Sequence, residues 1–306
     1  VQSSKNNKYN NIYQFGKGEY MEKVTIEGVE IYLTEPDNIP IKWVGQEDLV
    51  TQILAAWLVV EKDDIPLNPR LIGKPGVGKT TLAYYAAKKL GKPAYMFQAT
   101  VDTRPEDLII TPVISEEGKI RYIASPIVSA MIKGGIAIID EGNRMSEKSW
   151  ASLAPLLDNR RYVESIIAGV KIYAHPDFRI CVTMNEDAST FELPEYISSR
   201  LQPQIYIDFP DREEELMILK SNLPFADDEI LEYVVNFLQV AHASDERYTV
   251  RDGINIARYA LKRIMLDGKD ADKTKKLKFL REAAVMILDK EAARYFSEVI
   301  LDEEKD

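Results

Sequence analysis

Residues 70–91 read RLIGKPGVGKTTLAYYAAKKLG. Three glycines, Gly73, Gly76 and Gly78, stand ahead of Lys79, Thr80 and Thr81, between a short apolar run and a segment with helical spacing. A packed core has no use for that arrangement, but an anion does. Glycines let the backbone turn with positive φ and aim successive N–H groups inward, at a helix N-terminus whose dipole favours phosphate. Gly73-Lys74-Pro75-Gly76-Val77-Gly78-Lys79-Thr80 satisfies G-x-x-x-x-G-K-[ST] in a strand-loop-helix setting. The pattern predicts a cradle in which Lys79 reaches the β and γ phosphates of a nucleotide and the Thr80 hydroxyl ligates Mg²⁺. Leu82, Ala86 and Leu90 recur at the spacing that packs a helix on a sheet, and Gly91 ends it after Lys88 and Lys89.

A phosphate loop of this kind needs a second carboxylate site, and GGIAIIDEGNRM, residues 134–145, offers one. Ile136, Ala137, Ile138 and Ile139 form the continuous apolar run of a parallel strand buried on both faces, and the run stops abruptly at Asp140 and Glu141. Ligands collect at such strand ends. Asp140 is placed to complete the Mg²⁺ shell with Thr80, and Glu141 to act as general base on the attacking water. FRICVTMNED, residues 178–187, repeats the design with a polar end at Asn185, whose amide can hold a water and a phosphate oxygen without competing for the metal.

The constellation resembles the AAA+ ATPases, and within them the MoxR-like, dynein-related group that accompanies proteins with von Willebrand type A domains. The resemblance covers roughly residues 36–265. WVGQEDLVTQILAAWL resembles the segment before the glycine loop, whose valine and glycine, here Val44 and Gly45, lie near the adenine. FQATVDTRPEDL resembles the stretch after the second strand, IIDEGNRM the Asp-Glu-x-Asn-Arg signature, and AHPDFRICVTMN the approach to the sensor asparagine. By position the resemblance implies that Glu141 is the hydrolytic glutamate, Asn185 sensor 1, and Arg200 in LPEYISSRLQPQI an arginine finger acting on the neighbouring subunit's nucleotide. It implies a sensor 2 arginine at Arg251 in YTVRDGINIARYAL, with Arg258 as the alternative. The chain departs from the family in having Arg200-Leu201 where Arg-Phe is common, and Thr249-Val250 before Arg251. The implied cofactors are ATP or ADP with Mg²⁺, and the implied assembly is a homo-oligomeric, hexameric ring acting on a partner protein, such as one with a von Willebrand type A domain.

The alternation of PRLI, AYMFQA, IAIID, ICVTMN and QIYIDF with helical segments predicts an α/β P-loop core, a parallel sheet with helices on both faces, over residues 36–210. After DFPDREEE the apolar spacing turns helical, so residues 211–306 are expected to form a helical lid and tail, and residues 1–35 an N-terminal extension. DLIITPVISEEGKIRYIAS and RRYVESIIAGVKIYA read as β-hairpin insertions, the positions at which the family places hairpins projecting towards the ring axis. The closing LDEEKD reads as a solvated tail.

The chain has 306 residues, 45% of them hydrophobic, enough for such a core and a smaller unit. No apolar run approaches the ~18 residues of a membrane span, and residues 1–20 lack the apolar centre of a secretory signal, so a cytoplasmic location is expected. The single cysteine, Cys181, sits in an apolar run and reads as core. His175 and His242 lack metal-ligand spacing, and Trp43, Trp57 and Trp150 are scattered in the manner of packing residues. A formal net charge of −10, and hairpin tips SEEGK and IIAG without a basic cluster, disfavour nucleic acid. The leading expectation is an ATP-hydrolysing ring that remodels a protein. The alternatives are a nucleic-acid motor sharing the hairpin insertions, or a nucleotide-gated scaffold with little turnover.

Overall fold

The computed structural model describes residues 21–40, 42–115, 117–186, 192–267 and 272–296. The readings made for residues 1–20, for Glu116 in the first hairpin tip and for the closing run 301–306 lie outside the described residues. The strands are β1 (Lys23–Ile26), β2 (Val29–Tyr32), β3 (Arg70–Gly73), β4 (Ala94–Gln98), β5 (Ile110–Ile114), β6 (Ile120–Ala124), β7 (Ile136–Asp140), β8 (Tyr162–Ser165), β9 (Val170–Tyr173), β10 (Arg179–Asn185) and β11 (Gln204–Ile207). The helices are α1 (Glu47–Trp57), α2 (Lys79–Lys89), α3 (Pro105–Leu108), α4 (Pro126–Lys133), α5 (Glu147–Leu153), α6 (Glu195–Ser198), α7 (Arg212–Asn222), α8 (Asp228–Ala243), α9 (Val250–Asp267) and α10 (Lys273–Ile287). Among the described residues, no helix is long and apolar enough to cross a membrane.

Five strands form a parallel sheet in the order β11-β3-β10-β7-β4. Their alternation divides the core in two. Ile136 and Ile138 of β7 pack with Val50, Ile53 and Leu82 of α1 and α2. Ala137 and Ile139 pack on the other face, with Ile127 and Met131 of α4 and Trp150 of α5. A strand buried on both faces must be apolar at every position, which is why β7 and the middle of β10 read as unbroken runs. Cys181 lies in this sheet, fully buried, and burial pushes its thiol pKa up, which leaves it an inert core residue. Leu90, expected to pack with Leu82 and Ala86, is instead exposed, because α2 has run out beneath it.

Register decides where the polar strand ends meet. Gly73 lies opposite Asn185 on one side and Ile207 on the other, and Gln98 lies opposite Asp140. The carboxyl ends of all five strands therefore share one edge of the sheet.

The first hairpin insertion, β5 and β6, does not stand alone. Residues 23–32, KVTIEGVEIY, which the sequence reading left in an extension, form a second hairpin, and β2 pairs in parallel with β6 to give a four-stranded sheet ordered β1-β2-β6-β5. The two-residue turn has Glu27 at φ 50° and Gly28 at φ 84°, the double positive φ that tight hairpins require. On β5, the outer edge, the bonds Ser125 N–H to Ile109 O and Ser115 N–H to Lys119 O fix the pairing phase, so Pro112 directs its missing N–H position outward. A proline there blunts an exposed strand edge against pairing with another chain. The second insertion, β8 with β9, is a two-stranded hairpin.

The helices α7 to α10 build their own core, in which the Phe237 ring stacks on Phe296 at 4.4 Å. Side chains cap several of the described helices: Ser125, Ser146, Asp211, Asp227 and Asp272 each accept a backbone N–H from the first turn that follows them.

Candidate functional site

The glycine loop spans from the end of β3 to the start of α2. Gly76 and Gly78 take φ of 83° and 96°, which side chains other than glycine rarely adopt. The loop is also crowded: a Cβ on Gly73 would lie 2.2 Å from the Ile207 carbonyl oxygen, and one on Gly76 would lie 2.7 Å from the Thr249 side chain. The loop is thus gripped by the end of β11 and by the residue that precedes α9. Lys79 is buried, and its ammonium donates to the carbonyls of Gly73 (2.9 Å) and Lys74 (2.7 Å). The Lys74 ammonium sits 4.8 Å above the Phe209 ring, which in turn stacks on His242 at 4.0 Å, tying the loop to α8.

Beside this loop the two acidic residues have different surroundings. Asp140 Oδ1 accepts from the hydroxyls of Thr80 and Thr183, both at 2.5 Å. A hydroxyl and a carboxylate side by side are the hard oxygen donors that Mg²⁺ takes, usually with waters and substrate phosphates completing its octahedron. Glu141 adopts φ 55°, a left-handed backbone uncommon for its type, and its N–H donates to Thr183 Oγ1 at 3.0 Å. Its Oε1 accepts from Asn185 Nδ2 at 3.0 Å, while Oε2 accepts from Arg144 Nε at 2.6 Å and Gln98 Nε2 at 3.4 Å. Asn143 and Asn185, both buried, bond each other through Asn143 Nδ2 to Asn185 O (2.8 Å) and Asn185 N–H to Asn143 Oδ1 (3.3 Å).

Thr183, Asn143, Arg144 and Gln98 had been given no role from the sequence. Thr183 was legible as the one hydroxyl in the otherwise apolar run of residues 180–184, and Arg144 as a cation three residues after Glu141. What the sequence could not supply was the registry of β7 and β10, which sets Thr183 between the two carboxylates.

Adjoining the loop is a cavity of about 380 Å³, walled by Val44, Val77 and Thr81 on one side and by Ile218, Arg251 and Arg258 from α7 and α9 on the other. Arg251 and Arg258 lie seven residues apart on one face of α9, so both proposed lid arginines reach this space. Trp43, read as a packing residue, also lines the cavity, and its buried indole N–H has no partner among the described residues. Trp57 and Trp150 are buried in the two cores, the first donating to Ile180 O at 3.0 Å. Gly45 stands one step back: its φ of 77° brings the backbone against Glu214 of α7, whose carboxylate accepts the Gln46 N–H at 3.0 Å.

Arg200 is placed elsewhere. Its Nε bonds Asp158 Oδ2 at 3.2 Å, its Nη1 bonds the Tyr196 carbonyl, and it is not part of the cavity wall. Arg160 beside Asp158, and then Arg200, hold that carboxyl at about 2, so the cluster stays charged at any working pH. The fold therefore brings Lys79, Thr80, Asp140, Glu141 and Asn185 to one strand edge next to Arg251, and leaves Arg200 in a separate cluster.

Fold and site together resemble those of AAA+ proteins: an α/β P-loop core with a parallel sheet, followed by a helical C-terminal region. Within that class, residues 70–201 match the AAA domain (dynein-related subfamily). An uncharacterized protein of Staphylococcus haemolyticus is 30% identical over 175 residues, covering 56% of this chain and 66% of that protein. Another, of Staphylococcus aureus, is 28% identical over 179 residues, 57% of this chain and 68% of its own length. The chain thus spans just under two thirds of the first of these relatives. Among solved structures, the RuvB Holliday junction branch migration motor of Thermotoga maritima superposes with a TM-score of 0.55 at 17% identity, covering 81% of this chain and 72% of that one. At that identity the likeness is one of fold.

Proposed function

We propose that this chain hydrolyses ATP with Mg²⁺ and couples the reaction to remodelling a partner polypeptide, as a MoxR-type member of the AAA+ class working in a hexameric ring. The observation that carries the reading is the Glu141 carboxylate, held by Asn185 and Arg144 at the strand edge next to the phosphate loop. A positioned carboxylate of this kind can take the proton of a water as it attacks the γ-phosphate. The glycine cradle and the Thr80–Asp140 oxygens suit a magnesium nucleotide, and the orphan Trp43 N–H offers a donor to a polar ligand in the cavity. When bound, magnesium neutralises phosphate charge. In this scheme Lys79 shifts its ammonium from the two loop carbonyls to the phosphates, Glu141 holds the abstracted proton, and Asn185 orients the carboxylate. Residues 211–306 act as a lid on the core of 36–210, with Arg251 or Arg258 reporting the nucleotide from within the chain. Arg200 acts on the neighbouring subunit's nucleotide.

A polypeptide load is favoured by the hairpins. Ile114 and Ile120 face each other across the first hairpin and are 75% and 63% exposed, and Ile166 at the second turn is 92% exposed. Exposed isoleucines beside or within the hairpin turns suit an unfolded or apolar protein segment, whereas a strand-tracking loop on DNA needs cations for the phosphates. The partner is then a protein, a von Willebrand type A domain among the candidates. Phosphate release tests the reading: wild type turns over, Lys79→Ala loses ATP binding, and Glu141→Gln binds ATP but turns over roughly 10² to 10⁴-fold more slowly. A Glu141→Gln variant that hydrolyses at the wild-type rate removes Glu141 from the mechanism.

A further inference from the structure

We propose that Asn222 reads the base of the nucleotide: its side-chain carbonyl accepts a hydrogen bond from the 6-amino group of adenine and so selects adenine over 6-oxo purines. The inference rests on the reading of the cavity as a nucleotide site. Asn222 is the last residue of α7 and lines that cavity. Its Nδ2 donates to the Ile218 carbonyl, one turn earlier in the helix, at 2.8 Å. A carbonyl can only accept, so this bond settles which end of the amide is nitrogen, and it turns Oδ1 away from the helix. Among the described residues, Oδ1 takes no hydrogen bond of its own.

The surroundings suit a purine. Ile218, one turn earlier on the same face of α7, lines the cavity together with Val44 and Pro210, giving apolar surface for the flat faces of a base. The glycine loop claims the phosphate end, which leaves the walls made by residues 42–46, α7 and α9 for the rest of the nucleotide, and Asn222 shares the α7 wall with Ile218. Adenine presents a donor at position 6 and guanine an acceptor. Opposite Oδ1 the amine forms a bond, and the oxo group meets lone pair with lone pair. Guanine is read best by a carboxylate that takes its two neighbouring N–H donors, and among the described residues that line the cavity none is acidic.

Titration calorimetry on the whole 306-residue chain with Mg²⁺ tests this, using ADP, GDP and purine riboside diphosphate, which lacks the 6-amino group. The diphosphates keep hydrolysis out of the measurement. Wild type should bind ADP about 3- to 10-fold more tightly than the purine riboside analogue, the worth of one net hydrogen bond, and GDP more weakly still. Asn222→Ala should bring ADP and the analogue within about twofold of each other, and Asn222→Asp, which keeps an acceptor, should preserve the preference. Asn222→Ala weakening both ligands equally would assign the residue to shaping the end of α7 alone and overturn the proposal, as would a preference that survives in Asn222→Ala. Failure of wild type to bind any of the three would instead overturn the nucleotide reading, and this proposal with it.

Discussion

The substitution that bears most directly on the site is Thr183→Val. Thr183 is fully buried in β10, its hydroxyl donates to Asp140 Oδ1 at 2.5 Å, and it accepts the Glu141 N–H at 3.0 Å. Valine has the same shape and no hydroxyl, so packing is kept and only these two bonds are lost. Leaving a buried N–H without an acceptor costs roughly 1–3 kcal/mol. The lost bond also helps hold Glu141 in its left-handed backbone, a conformation that itself costs on the order of 1–2 kcal/mol in a non-glycine residue. A net destabilisation of about 2 kcal/mol follows, and with roughly 2–4 °C per kcal/mol for a domain of this size the melting midpoint should fall by about 4–8 °C. Glu141 should relax out of its setting, lowering the rate of phosphate release about tenfold or more while ATP binding persists. Thermal unfolding by circular dichroism and a phosphate-release assay read the two effects. Thr183→Ser, which keeps the hydroxyl, should stay within a few-fold of wild-type turnover. If Thr183→Val melts and turns over as wild type does, the hydroxyl bridge is not what holds the two carboxylates.

Two further outcomes are expected. Glu215 of α7 is fully buried with one oxygen unpartnered, and desolvation raises its pKa from 4.5 to about 7, against the weaker opposing bond from Gln239. Between those values the folded chain holds a proton that the unfolded chain has released, so stability falls as pH rises through this window, by on the order of 3 kcal/mol in all. Urea unfolding of Glu215→Gln should lack that fall, and identical pH profiles for the two proteins would count against it. If Arg200 completes a neighbour's site, Arg200→Ala should bind ATP and lose about 10³-fold or more in turnover. Mixing it with Lys79→Ala should restore part of the activity, and mixed oligomers that stay inactive would place Arg200 outside the chemistry.

The sequence by itself determined the elements that local chemistry specifies. A glycine loop requires positive φ at Gly76 and Gly78, a doubly buried parallel strand requires an unbroken apolar run, and the abrupt ends of those runs at Asp140 and Asn185 mark one edge of the sheet. Each of these constraints acts within a few residues, so each is written in consecutive letters. KVTIEGVEIY was as local a signal, alternating about an EG turn, yet its place in the fold depends on pairing with β6 some ninety residues later. Only the tertiary structure decided what depends on register and on helices crossing the strand ends. It set Thr183 between Asp140 and Glu141, put Trp43 against the core and on the cavity wall at once, and brought Thr249 against Gly76. It also separated Arg200, which rests on Asp158, from the cavity that Arg251 and Arg258 share. The physical reason is that a hydrogen bond or a close contact between distant segments depends on angstrom-scale placement, which the packing of the whole chain fixes and no short pattern of residue types contains.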